Sequence, residues 1–207
     1  MKKILAIMMI ALFFGALGGI AGTYTFMNVV KPSFSQEQLI AEYYASEDAV
    51  HISPHSIRKG LDSGDTSFIL VDLRSQEEYE REHIISAVNL PTYKDPDNSA
   101  YDETERIISS FEKLKAENPG RNIITYCYST PCMTGRKIGN LLAQNNIYVQ
   151  TLNIGWNDWR YYWTLWNHEH EWDKTNVMDY IATGSEPGTP KIRDDIYNCG
   201  IEGALGC

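Results

Sequence analysis

Two cysteines, Cys127 and Cys132, stand five positions apart in the stretch "YCYSTPCMTGR", Tyr126 to Arg136. An apolar run ends at the first, and a segment of helical pattern begins beyond the second. This spacing offers thiol chemistry: a nucleophile that takes up a covalent adduct, or a pair that cycles between dithiol and disulfide. A cysteine between a strand and a helix amino terminus meets backbone N–H groups and the positive end of the helix dipole, about half a charge. That cradle favours a thiolate, a persulfide or an oxyanion, and can lower a thiol well below its ordinary ~8.5. Cys127 is thus the candidate nucleophile, surrounded by Tyr128, Ser129, Thr130 and Met133, with Arg136 as a cation for an anionic substrate. Three roles are open to Cys132: it could resolve an adduct on Cys127, form half of a thiol–disulfide centre, or be a small residue at the helix start. A cysteine closing a buried strand also reads as a small core residue.

The sequence argues against two other chemistries. His168 and His170 would complete a Cys2His2 set with the two thiols. On a helix, however, the His-x-His step turns the rings roughly 200° apart, and structural zinc sites use closer cysteine spacing. No metal and no other cofactor is expected. The formal charge of −9 argues against nucleic acid, which needs clustered Lys and Arg. Trp156, Trp159, Trp163 and Trp166 recur at steps of three and four, the period of one helix face. They are expected to form a Trp-rich helix that packs on the sheet or meets a protein partner or membrane interface.

The elements that must position the cysteines alternate. "SFILVDL" and "NIITYC" are apolar runs of strand type, and "AVHIS", "AVNLP" and "YVQTLN" are further strands. Helices are expected from Pro54 through Leu61, from Ser75, from Glu103 to Ala116, and from Met133 to Gln144. Ser53 caps the first, with Pro54 in its first turn, and Ser75 with Glu78 forms a capping box on the second. Lys94 to Tyr101 reads as a polar loop. Alternation of this kind implies a parallel sheet covered by helices, an α/β domain whose site lies beyond the carboxyl ends of the strands.

Outside that domain, Ile4 to Val30 contains no charged residue and follows Lys2 and Lys3. Roughly 20 apolar residues suffice to cross a bilayer, so residues 1–34 form a signal anchor or a signal peptide. The early lysines place the amino terminus in the cytoplasm and the remainder outside it. A juxtamembrane helix is expected over 35–49, the domain with its Trp-rich helix over 50–172, and a Gly- and Pro-rich tail over 173–207. Disulfides persist outside the cytoplasm, so Cys127 with Cys132, and Cys199 with Cys207, are candidate pairs.

"FILVDLRSQEEYEREHIISAVNLP", Phe68 to Pro91, resembles the entry motif of rhodanese-like domains. Asp72, Arg74, Glu78, Tyr79, His83, Ile84, Ala87, Asn89 and Pro91 stand at matching positions, and "NIITYC" and "LNIGWNDW" follow in the family's order. The resemblance covers roughly His51 to Trp159. It implies a rhodanese-like parallel sheet and a sulfurtransferase. The position of Cys127 would take the outer sulfur of a small donor such as thiosulfate, hold it as a persulfide and pass it to a thiol acceptor. Asp72, Arg74 and His83 match positions that hold the fold together. The loop departs from the usual Cys-Arg-x-Gly-x-Arg and resembles a two-cysteine CxxxxC variant, in which Pro131 removes one N–H. Phosphatases and arsenate reductases related to this fold need Cys-x5-Arg, and position 133 here is Met. A thiol–disulfide oxidoreductase using both cysteines and a non-catalytic binding module are the alternatives.

Overall fold

The computed structural model describes residues 2–27 and 34–193. The chain divides into two compact units, Met1–Ser46 and Glu47–Cys207. In the first, helix α1 (Lys2–Thr25) includes the span Lys3–Thr25, long and apolar enough to cross a membrane and with none of its length buried against protein. At 1.5 Å per residue it reaches about 35 Å, against a hydrocarbon core of about 30 Å. Helix α2 (Gln36–Val50) carries the chain across the division, opened by Ser35, whose hydroxyl accepts from the Gln38 N–H.

The second unit is α/β. Five parallel strands, β1 (His51–Ile52), β2 (Phe68–Asp72), β4 (Val88–Asn89), β7 (Asn122–Tyr126) and β8 (Gln150–Leu152), lie in the order β1-β8-β7-β2-β4. Central strands β2 and β7 pair in full register from Phe68 with Asn122 to Asp72 with Tyr126. Every residue of β2 is buried, as a strand covered on both faces must be. One face packs Leu70, Ile124 and Tyr126 against Ile57 and Leu61 of helix α3 (Pro54–Ser63), with Tyr79 of helix α4 (Gln76–Arg81) and Trp156 and Trp159 of helix α7 (Trp156–Tyr161). The other packs Ile69, Val71 and Ile123 against Ile107 and Phe111 of helix α5 (Thr104–Glu117) and Ile138 and Leu142 of helix α6 (Met133–Gln144). The expected caps are present: the Ser53 hydroxyl accepts from His55 N, and the Ser75 hydroxyl accepts from Glu78 N and donates to its carboxylate.

The fold differs from the sequence reading in two places. Lys94 to Tyr101 is not wholly loop: β5 (Tyr93–Asp95) and β6 (Asn98–Ser99) form a hairpin. Asp95 closes it by accepting from the Asp97 and Asn98 N–H groups, a turn in which an Asp side chain imitates the backbone. The Trp-rich segment is not one continuous helix either. Helix α7 stops at Tyr161 and a 3-10 turn follows over Trp163–Leu165. The Asp158 carbonyl accepts both the Tyr162 N–H and the indole N–H of Trp166, so the chain folds back and Trp166 stacks on Trp159 at 4.9 Å. Past the end of that segment, β9 (Ile181–Ala182) pairs antiparallel with β3 (His83–Ile84).

Candidate functional site

Asp72 and Arg74 form the buried floor near the strand ends. The guanidinium sits 2.6 Å from the Asp72 carboxylate, donates to the Glu82 carbonyl and lies 4.3 Å from the Trp156 ring. Burial opposes the charge on Arg74, and Asp72 outweighs it, raising the guanidinium's affinity for its proton. His83 is fully buried, its Nδ1 2.8 Å from the Tyr79 carbonyl and its ring stacked on Tyr79 at 3.8 Å. All three groups are buried.

Cys127 follows the last residue of β7, and Cys132 is the N-cap of α6. Their sulfurs stand 2.9 Å apart, both as free thiols. A disulfide bond measures about 2.05 Å, so a movement of about 0.9 Å separates the pair from a bond. Cys127 is buried and Cys132 is half-buried. The two are opposite in acidity. Cys132 is lowered to about 5: the Cys127 thiol does most, opposed by burial, and the Thr134 N–H and hydroxyl and the Tyr128 N–H add to it. The Cys127 thiol is pushed up, first by its hydrogen bond to Cys132 and then by burial. Of the two thiols, Cys132 is the readier to lose its proton and Cys127 the more reluctant.

The loop between them is pinned from outside. Gly155, just ahead of α7, meets it so closely that a Cβ there would lie 2.0 Å from Ser129 N. The Trp156 N–H donates to the Cys127 carbonyl and the Asn157 N–H to the Tyr128 carbonyl, each at 2.8 Å. Asp158 accepts from the Thr130 N–H at 3.1 Å, and the Cys132 N–H donates to the Ser129 carbonyl. With Pro131 lacking an N–H, the loop's backbone is partly committed to holding its own shape. The Tyr128 N–H favours negative charge on either sulfur. Its phenol donates to Glu78 at 2.5 Å, which fastens the loop to α4.

Cys127, Ser129, Thr130, Cys132 and Arg136 line a cleft of about 30 Å³ between the loop and β8. One water needs roughly 10–15 Å³ on this measure, so the cleft holds about two. Arg136 is exposed, with Nη1 3.5 Å from the Thr130 carbonyl, and Met133 beside it is exposed. Of the sequence-predicted site residues, the structure brings Cys127, Cys132 and Tyr128 to Thr130 together, with Arg136 at the rim. Cys199 and Cys207 lie outside the described residues.

Sequence reasoning missed Thr134, Tyr93, Tyr101, Glu78 as a partner of Tyr128, and Asp158. Only Thr134, two residues past Cys132, carried a signal of proximity. Among the described residues no group of three or more His, Cys, Asp or Glu is placed to hold a metal. His168 and His170 lie 5.6 Å apart, and His168 packs on His55 at 4.7 Å. The Trp-rich segment turns its indoles inward, Trp156 and Trp159 most of all, and exposes Tyr161, Tyr162 and Leu165.

The family model for the rhodanese-like domain matches residues 53–161. Among solved structures, the BH2092 protein of Bacillus halodurans is 23% identical over 60% of this chain and 81% of its own, at a TM-score of 0.44. A Saccharomyces cerevisiae protein described as a homolog of single-domain rhodanese and the Cdc25 phosphatase catalytic domain is 17% identical over 54% of this chain and 79% of its own, TM-score 0.41. The rhodanese-like domain of an Anabaena protein is 16% identical over 74% and 94%, TM-score 0.41. No curated protein matches the chain. The match of the family model over more than half of its residues makes this chain a member of the rhodanese-like domain family.

Proposed function

We propose that the protein is a membrane-anchored, extracytoplasmic sulfurtransferase that carries sulfane sulfur as a persulfide on Cys127, with Cys132 as the resolving thiol. The observation that carries this reading is the 2.9 Å approach of the Cys132 sulfur to a cysteine at the carboxyl end of β7. That is where the resemblance puts the family's sulfur acceptor. The proton held between the two sulfurs can pass from Cys127 to Cys132, so one shared charge serves either as nucleophile. Cys127 as thiolate attacks the outer sulfur of a small donor such as thiosulfate or a polysulfide, and sulfite or the shortened chain leaves. The persulfide passes its outer sulfur to an acceptor thiol. Alternatively, the Cys132 thiolate attacks the inner sulfur, hydrosulfide leaves, and a Cys127–Cys132 disulfide remains for an external dithiol to reduce. The small cleft favours a compact donor, and Arg136 at its rim favours an anion. Lys2 and Lys3 support an amino terminus in the cytoplasm and the domain outside it.

A second reading, a dithiol oxidoreductase, is favoured by one observation. The more accessible sulfur is the acidic one and the buried sulfur its partner, the polarity of an attacking and resolving pair. Intact-mass measurement of the reduced full chain in detergent, with and without thiosulfate or polysulfide, separates the two. A gain of one sulfur that is lost in Cys127→Ser and longer-lived in Cys132→Ser supports sulfur transfer. No sulfur gain with any donor sinks it, and a reversible loss of two hydrogens that requires both cysteines would then establish the redox pair. Labelling of Cys132 in intact cells by a membrane-impermeant maleimide tests the orientation, and protection there would reverse it.

A further inference from the structure

The cleft that Cys127 and Cys132 border is also bordered by His51, the first residue of β1. The parallel register brings it there. His51 pairs with Thr151 of β8, and Thr151 pairs with Thr125 of β7, so the three stand in one row across the sheet. Paired residues in a parallel ladder point to the same face, and Cys127, two positions past Thr125, shares that face. Two strand spacings, about 10 Å, separate the ends of the row, and the imidazole and the thiols border the space beside Thr151 from opposite sides. The ring is also oriented. Its Nδ1 is buried, with the Glu47 carboxylate 3.5 Å away and one helical turn upstream. Gln150 Nε2 donates to the Ala49 carbonyl at 3.1 Å, which ties the junction of α2 and β1 to β8. That leaves Nε2 of His51 to exchange protons. Among the residues lining the cleft, Arg136 keeps its charge and the Ser and Thr hydroxyls keep their protons, whereas an imidazole both takes and gives a proton near neutrality.

We propose that His51 is a further catalytic residue, an acid–base partner that Glu47 orients and that moves the proton of the thiol pair across the cleft. This rests on the reading of the pair as a centre of thiol chemistry. When Cys132 attacks the inner sulfur of a Cys127 persulfide, its thiol proton goes to Nε2 of His51. The Cys127–Cys132 bond forms and the bond to the outer sulfur breaks. The outer sulfur leaves as hydrosulfide with the bonding pair, and the imidazolium returns the proton to it as hydrogen sulfide. Two cysteine sulfurs are thereby oxidised to a disulfide and one sulfane sulfur is reduced to sulfide, with no other oxidant. In thiol–disulfide exchange a small disulfide takes the place of the persulfide, and the proton passes to the departing thiolate. A nucleophile, a base across a water-filled cleft and a carboxylate behind the base are the parts of an activated cysteine.

The test is the rate at which hydroxyethyl disulfide closes the Cys127–Cys132 disulfide in the reduced full chain in detergent, located by peptide mass after alkylation of the remaining thiols. His51→Gln should slow closure about 100-fold, the scale of lost acid–base assistance. Added imidazole should restore closure in His51→Ala in proportion to its concentration and leave the wild type unaffected. Glu47→Gln should slow closure less. Native closure in a folded His51→Gln overturns the role, and so does slow closure in His51→Ala that imidazole does not raise, since a free ring cannot replace a merely structural histidine. Should the His51 variants not fold, Glu47→Gln decides: slowed closure at a native urea midpoint supports the role, and native closure overturns it. Because hydroxyethyl disulfide holds no sulfane sulfur, slowed closure in the variants alongside failed sulfur uptake by the wild type would keep the role of His51 and sink sulfur transfer alone.

Discussion

Replacing Gly155 with Ala tests whether the site depends on its loop being held at contact distance. Gly155 has φ −110° and ψ −175°, extended backbone that any residue adopts, so the side chain alone is what the position forbids. A Cβ there would meet Ser129 N at 2.0 Å, Ser129 Cα at 2.3 Å and the Tyr128 carbonyl carbon at 2.3 Å. Relaxing the closest of these to about 3.4 Å requires roughly 1.4 Å of movement by backbone that no rotamer change can supply. The bonds from Trp156 N–H to Cys127 and from Asn157 N–H to Tyr128 would stretch with it, at about 1 kcal/mol each, and overpacking costs about 1–3 kcal/mol. A loss of about 3 kcal/mol of stability is expected in urea denaturation. A displacement of that size at the thiols should also slow disulfide closure between Cys127 and Cys132 about 100-fold, the scale of an ångström's misplacement of reacting groups. Gly155→Ala with native stability and a native closure rate would refute the argument.

Two further outcomes follow from the buried charges and the shared proton. Arg74→Ala leaves the Asp72 carboxylate buried without its partner and should cost about 3–5 kcal/mol, read as a fall in the urea midpoint at unchanged slope. The thiol pair also gives stability a pH dependence. Cys132, lowered to about 5 in the fold against 9.0 for the free thiol, contributes stability that grows as pH rises from about 5 to 9 and is lost on acidification. Cys127 is raised, so its contribution is intact below about pH 9 and falls above it. Reduced protein should therefore be most stable near pH 9 with respect to this pair, and the rise between pH 5 and 9 should vanish in Cys132→Ser.

The central sheet and the strand-end cysteine were legible because their signals are local. "FILV" is apolar throughout since β2 is covered on both faces, and Ser75 with Glu78 announces α4 within four residues. The two thiols, five residues apart on one loop, were equally plain. What could not be read was whatever depends on residues meeting from distant segments. Thr134 joins Tyr93 and Tyr101 across 41 and 33 positions, and Thr130 meets Asp158 across 28. The Trp-rich run misled because its three-and-four period is also satisfied by a short helix followed by a turn that folds one indole onto another. Asp95 hid a hairpin inside a polar stretch, since its turn is made by side-chain bonds that leave no hydrophobic pattern.

The matched family region ends at 161, yet β9 pairs with β3 about a hundred positions upstream. The Glu171 carboxylate meets Arg58 at 2.6 Å, and Arg193 reaches both Asp62 and Asp179. The edge strand β1 waits in the same way for β8, with His51 opposite Thr151. As the chain leaves the ribosome, β2 can pair with β4 and then β7, whereas β1 and β3 wait for β8 and β9, and long-range pairing of this kind is slow. A newborn chain would spend that interval with Cys127 and Cys132 already synthesised but uncovered, open to pairing with the wrong thiol. A stage vulnerable to oxidative error is therefore its own synthesis, before β8 and the stretch from Gly155 to Asp158 have arrived to seat the loop.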